Sequence, residues 1–60
     1  MEQDIIGKKA KVIALMDGKK FFYTAQNIID ITKHHIYFYD KFGSLIGIRK
    51  ENVIQITLID

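Results

Sequence analysis

Cysteine and proline are both absent from this chain of 60 residues, serine occurs once, and no apolar run approaches the length that spans a bilayer. Each absence removes a class of architecture or chemistry. Without cysteine there is neither a disulfide nor a thiolate metal site to staple a small fold, a composition that suits a reducing compartment. A transmembrane helix needs about eighteen apolar residues in a row, and "MEQDIIGKK" lacks the basic start and apolar stretch of a signal peptide. A cytoplasmic protein with no membrane partner is the expectation. The lack of proline means that no strand edge is blunted by that residue.

Catalytic sets are equally scarce. The one serine, Ser44, follows Gly43 in a turn-like stretch and has no histidine and acid grouped with it to make a nucleophile. The carboxylates are scattered over turns and ends, where no two are placed for paired acid–base work, and the glycines form no phosphate-cradling loop. No enzyme activity, catalytic residue or cofactor is expected. His34 and His35 are adjacent, and neighbouring side chains on a strand point to opposite faces, so no metal site is expected either.

Length sets a further bound. A chain of 60 residues makes a single small domain spanning 1–60. Folding it buries roughly 3,600 Å² of apolar surface, worth roughly 90 kcal/mol at about 25 cal/mol per Å². Ordering the chain costs about 1.5 kcal/mol per residue, again roughly 90 kcal/mol in all. The two terms cancel, which makes closure of a sheet, or pairing of sheet edges between copies, an attractive source of extra stability.

What the sequence does hold is strand composition and unevenly placed charge. The formal net charge is +2, yet residues 8–20 carry Lys8, Lys9, Lys11, Lys19 and Lys20 against Asp17 alone, while residues 21–60 balance four basic with four acidic side chains. Such a basic segment attracts phosphates over about a Debye length; lysines also serve to keep an edge strand soluble.

"KAKVIAL" and "KKFFY" read as two strands joined by Asp17-Gly18, the dipeptide that a tight type I′ turn favours. From Phe21 to Lys33 a long strand is predicted, bending near Ala25 to Asn27. A helix competes there, since Ala25, Ile28, Ile29 and Thr32 share a helical face, but three isoleucines in four residues and the lack of a capping acid after Thr24 favour the strand. "HHIYFYD" puts Ile36 and Phe38 on one face and Tyr37 and Tyr39 on the other. "DKFG" is a turn with Gly43 at positive φ. "SLIGIRK" is a fourth strand with Ile46 and Ile48 inward and Gly47 and Arg49 outward, "KEN" is one tight turn, and "VIQITLI" is the fifth strand. The fold class predicted is all-β with little or no helix: a small, strongly bent, five-stranded antiparallel barrel of the Src-homology-3-like kind.

"IIGKKAKVIALMDGKKFF" resembles the opening of Sm and Sm-like proteins, the RNA-binding small barrels that include bacterial Hfq, and "IRKENVIQI" resembles their second motif, with Ile48, Arg49 and Val53 in matching places. The resemblance runs from Ile6 to Ile59. Lys50 stands where the motif has glycine after arginine, Ala25 stands near an expected strand-bending glycine, and His34 and His35 occupy the region of the family's uracil-holding asparagine. The resemblance implies a homo-oligomer in which the strand over residues 45–49 of one copy pairs with the strand over 53–59 of the next, with Arg49 directed toward RNA.

Two functions from different classes follow. The first is non-catalytic binding of RNA or single-stranded DNA, with Lys8, Lys9, Lys11, Lys19, Lys20 and Arg49 neutralising phosphates and Tyr37, Tyr39 or His35 stacking on bases. Phe22 is a candidate addition to the tyrosine platform. The alternative is a protein-interaction module or small regulator, of the kind a phage or mobile element carries, docking through the aromatic face or a strand edge. For Arg49 the simpler partner is Glu51 or a nearby aspartate, in a surface ion pair.

Overall fold

Asp17 and Gly18 both take positive φ, 52° and 73°, as a two-residue type I′ hairpin requires. They join β1 (Lys9–Met16) to β2 (Lys19–Ile31) in the computed structural model, which describes residues 2–59. Met1 and Asp60, the two ends of the domain expected over 1–60, lie outside the described residues. β3 (His35–Asp40), β4 (Leu45–Arg49) and β5 (Val53–Ile59) complete one antiparallel sheet in the order β4-β3-β2-β1-β5. Two short 3-10 segments, Glu2–Ile5 and Lys50–Asn52, precede β1 and link β4 to β5, and there is no α-helix among the described residues. The all-β architecture therefore stands: where a helix over Thr24 to His34 competed, β2 runs to Ile31 and residues 32–34 form the link to β3. The sheet is not closed into a barrel: β4 and β5 are its two edges.

The length of β2 is what lets the sheet fold over. Its first half pairs with β1 and its second with β3, and Ala25 belongs to both ladders, opposite Ala10 and opposite Asp40. The register with β3 slips between Ala25 and Asn27 and again between Ile28 and Asp30. Bulges of this kind bend a strand and increase its twist, so the turn expected of a glycine is produced by extra residues beside a small buried alanine. The backbone ahead of β1 follows the bend, Gly7 N–H donating to the Ile28 carbonyl at 2.6 Å and Ile28 N–H to the Lys8 carbonyl at 3.1 Å.

Inside the fold, Ala10, Val12, Ala14, Ala25, Ile28, Ile36, Phe38 and Ile48 are buried. Phe38 is the largest of them, met edge-on by the Tyr23 ring at 5.8 Å and 66°, a favoured aromatic geometry. Three alanines in β1 and β2 leave the space that Phe38 and the isoleucines of the facing strands fill. The core thins toward β5. Ile56 and Leu58 oppose Val12 and Ala10, so they lie on the core side, yet Leu58 remains 47% exposed because β4 does not reach across to cover it. At one end this opening is an apolar cavity of about 190 Å³ lined by Ile5, Ile31, Ile36, Lys50, Val53 and Ile56.

Candidate nucleic-acid interface

Alternation along β1 sends Ala10, Val12 and Ala14 to the core and Lys9 and Lys11 to the opposite, outward face. Register carries that face across the sheet. Lys11 opposes Thr24, Ile13 opposes Phe22 and Leu15 opposes Lys20. Beyond the bend, Asn27 opposes Tyr39 and Asp30 opposes Tyr37. On the far edge Leu45 opposes Tyr39, Gly47 opposes Tyr37 and Arg49 opposes His35. Lys9, Lys11, Lys20, His35, Tyr37, Tyr39 and Arg49 thus share one side of one sheet. The other two lysines of the basic segment do not join them: Lys19 opposes Met16 at the core-side end of the hairpin, and Lys8 precedes β1. Both are exposed.

At the β3–β4 end the outward face carries an aromatic pad. The His35 and Tyr37 rings stack with centroids 5.8 Å apart and 21° between planes. Tyr37 also lies across the edge strand, so close that a Cβ placed on Gly47 would come within 2.8 Å of its Cε1 and 3.0 Å of its Cδ1. The glycine is there for the ring. Tyr39, two residues on, is exposed, and Arg49 beside His35 directs its Nε to Glu51 Oε1 at 2.9 Å. Of the partners expected from sequence, Glu51 or a nearby aspartate, it is Glu51 that the arginine meets, with both side chains more than half exposed.

Nearer β1 lies a second feature that local sequence patterns do not reveal. A groove of about 320 Å³ is lined by Lys11, Val12, Ile13, Phe22, Tyr23, Thr24 and Lys41. Phe22 is 72% exposed, and it sits here against β1 instead of joining the tyrosines, because the bend of β2 separates the two ends of the face. Lys41 comes from the β3–β4 turn. Its Nζ lies 5.3 Å from the Phe42 ring centroid, within cation–π range, and Phe42 is itself 81% exposed. Alternation in "KKFFYT" does give Phe22 the phase of Lys20 and Thr24; nothing local to "DKFG" announces that Lys41 joins them.

The turns that hold this face are pinned by side chains. Asp40 Oδ1 accepts the Phe42 and Ser44 N–H groups at 2.9 and 2.8 Å, and Gly43 closes the turn at φ 82°. Thr32 Oγ1 accepts the His35 N–H at 3.0 Å, and the His34 carbonyl accepts the Lys50 N–H at 2.8 Å, tying the β2–β3 link to the 3-10 turn. His34 is exposed within that link. Among the described residues no group of three or more histidine, aspartate or glutamate side chains is placed to hold a metal ion, and no helix is long and apolar enough to cross a membrane. No family model matches the chain, nor does any curated protein or solved structure.

Proposed function

We propose that this protein is a non-catalytic domain that binds RNA or single-stranded DNA on the outward face of its sheet, working in the cytoplasm as a homo-oligomer of the Sm-like kind. One observation carries the reading: Lys9, Lys11, Lys20, Arg49, His35, Tyr37 and Tyr39 stand on the same side of a single sheet. Cations hold a phosphate backbone and flat rings stack on unpaired bases of any identity, each stacked base contributing about 1–3 kcal/mol. Lys8 and Lys19, exposed at the rim, add to the field without touching the bases. The test is fluorescence anisotropy of labelled oligo-uridine and oligo-adenine at two salt concentrations. Binding that weakens steeply with salt supports the reading, and no binding to either at low salt overturns it.

Assembly belongs to the same reading. β4 and β5 are open edges with no proline in them, and Leu45, Ile54 and Leu58 on these strands are exposed. Pairing β4 of one copy with β5 of the next satisfies both edges and completes, between copies, the closure a barrel makes within one. A monomer in light scattering at high micromolar concentration excludes it. The exposed Phe42 ring favours a second reading, a protein-interaction module docking through aromatic side chains. Its sign is a specific protein partner recovered by pull-down after nuclease treatment.

A further inference from the structure

We infer that the groove between β1, β2 and the β3–β4 turn is a subsite for one nucleotide unit, in which Lys11 and Lys41 hold a phosphate and Phe22 stacks on the attached, unpaired base. The inference rests on the nucleic-acid reading above and names where on that face a single unit is gripped. It starts from a convergence of two lysines distant in the chain. Lys11 sits in the middle of β1 and Lys41 thirty residues later in a turn, and they meet because Ala25 pairs with both Ala10 and Asp40. The residue after Asp40 is thereby delivered beside Thr24, whose cross-strand partner is Lys11. Both lysines line one cavity of about 320 Å³, and no carboxylate lines it with them.

Two like charges brought to one groove repel each other, and among the described residues neither ammonium has a carboxylate partner. An anion bound between them removes that repulsion. The remaining lining selects which anion. Phe22 stands over the groove with 72% of its surface in solvent, an apolar ring with no protein neighbour covering its outer side. Thr24 supplies a hydroxyl able to donate to a phosphate oxygen. A phosphate joined to a flat heterocycle satisfies charge, hydroxyl and ring together, whereas a bare phosphate leaves the ring wet. The base must be unpaired, because both faces of a base inside a duplex are already stacked. The groove is separated by the β2 bend from the His35–Tyr37 pad, so a strand lying on the outward face meets two grips, one at each end.

The experiment titrates short oligo-uridine and oligo-adenine, adenosine monophosphate, inorganic polyphosphate and poly-glutamate into wild type, Phe22→Leu, Phe22→Tyr and the Lys11→Gln/Lys41→Gln pair. These positions are solvent-facing, and amide spectra confirm that each variant keeps the fold. Phe22→Leu is expected to weaken oligonucleotide binding about tenfold while leaving its salt dependence unchanged, and Phe22→Tyr, which keeps a ring, to retain wild-type affinity. The lysine pair is expected to weaken binding and to reduce the slope of log K against log salt by about 0.7, the share of the one single-strand phosphate no longer neutralised. Polyphosphate should bind wild type and Phe22→Leu alike. Wild-type affinity for oligonucleotide in both Phe22→Leu and the lysine pair overturns the subsite while leaving the outward-face reading intact. Poly-glutamate binding as tight as oligonucleotide also overturns it, by showing a generic anion cradle. No oligonucleotide binding by wild type removes both readings at once.

Discussion

Gly47 is the position where a single atom decides most. A glycine inside a strand normally weakens it, and alanine there is ordinarily the better residue by about 0.5–1 kcal/mol. Here the added methyl would press on Tyr37 at 2.8 Å, and the ring must lift off the edge strand and away from His35. Gly47→Ala is therefore expected to destabilise by about 1–3 kcal/mol, read by urea denaturation. In a Tyr37→Ala background the same change is expected to be neutral or stabilising, so a double-mutant cycle isolates the interaction. Glu51 is the complementary case. Its carboxylate holds the Arg49 guanidinium at 2.9 Å on the outward face, and exposed pairs add little stability. Glu51→Gln should change stability by less than about 0.5 kcal/mol while tightening oligonucleotide binding and steepening its salt dependence, since the arginine is released to a phosphate.

At the scale of elements, the turns carry specific chemistry that can be removed. Asp40 Oδ1 gathers two backbone N–H groups of the β3–β4 turn, so Asp40→Ala should cost about 1–2 kcal/mol, with Asp40→Asn, which keeps an oxygen there, costing less. Because the same turn presents Lys41 to the groove, Asp40→Ala should also weaken oligonucleotide binding, measured by anisotropy. These turns were legible because their signals are local: Asp17-Gly18 needs only its own φ angles, and "KEN" is too short for anything but one turn. Over residues 24–34 the sequence leaned to strand without deciding it: spacing put Ala25, Ile28, Ile29 and Thr32 on a helical face, while three β-branched isoleucines in four residues weighed against a helix, and β2 runs to Ile31. The bend itself was legible near Ala25 to Asn27, but its mechanism was not. A bulge is an extra residue on one strand against its partner, and Gln26 and Ile29 look like any other strand residues until β3 is in register beside them. For the same reason sequence alone groups Phe22 with the tyrosines and passes over Lys41, since their neighbours depend on pairings between segments distant in the chain.

For the molecule as a whole, the register joins basic and aromatic residues on one face, while the core side thins toward β5 and leaves Ile56 and Leu58 partly in water. A 60-residue chain has little margin in its own core, so association should raise its stability with concentration. Thermal unfolding followed from low to high micromolar protein should show a rising midpoint, and a Leu58→Lys variant should remove that concentration dependence while leaving the outward face able to bind. The central claim is that this outward face is the one that receives nucleic acid. Amide and aromatic chemical-shift mapping with a short single-stranded oligonucleotide tests it most directly: the account predicts shifts at Lys11, Phe22, His35, Tyr37 and Lys41, with Val53 and Ile56 on the core-side opening unmoved. Shifts confined to that opening and to β5, with the five outward residues silent, would contradict it.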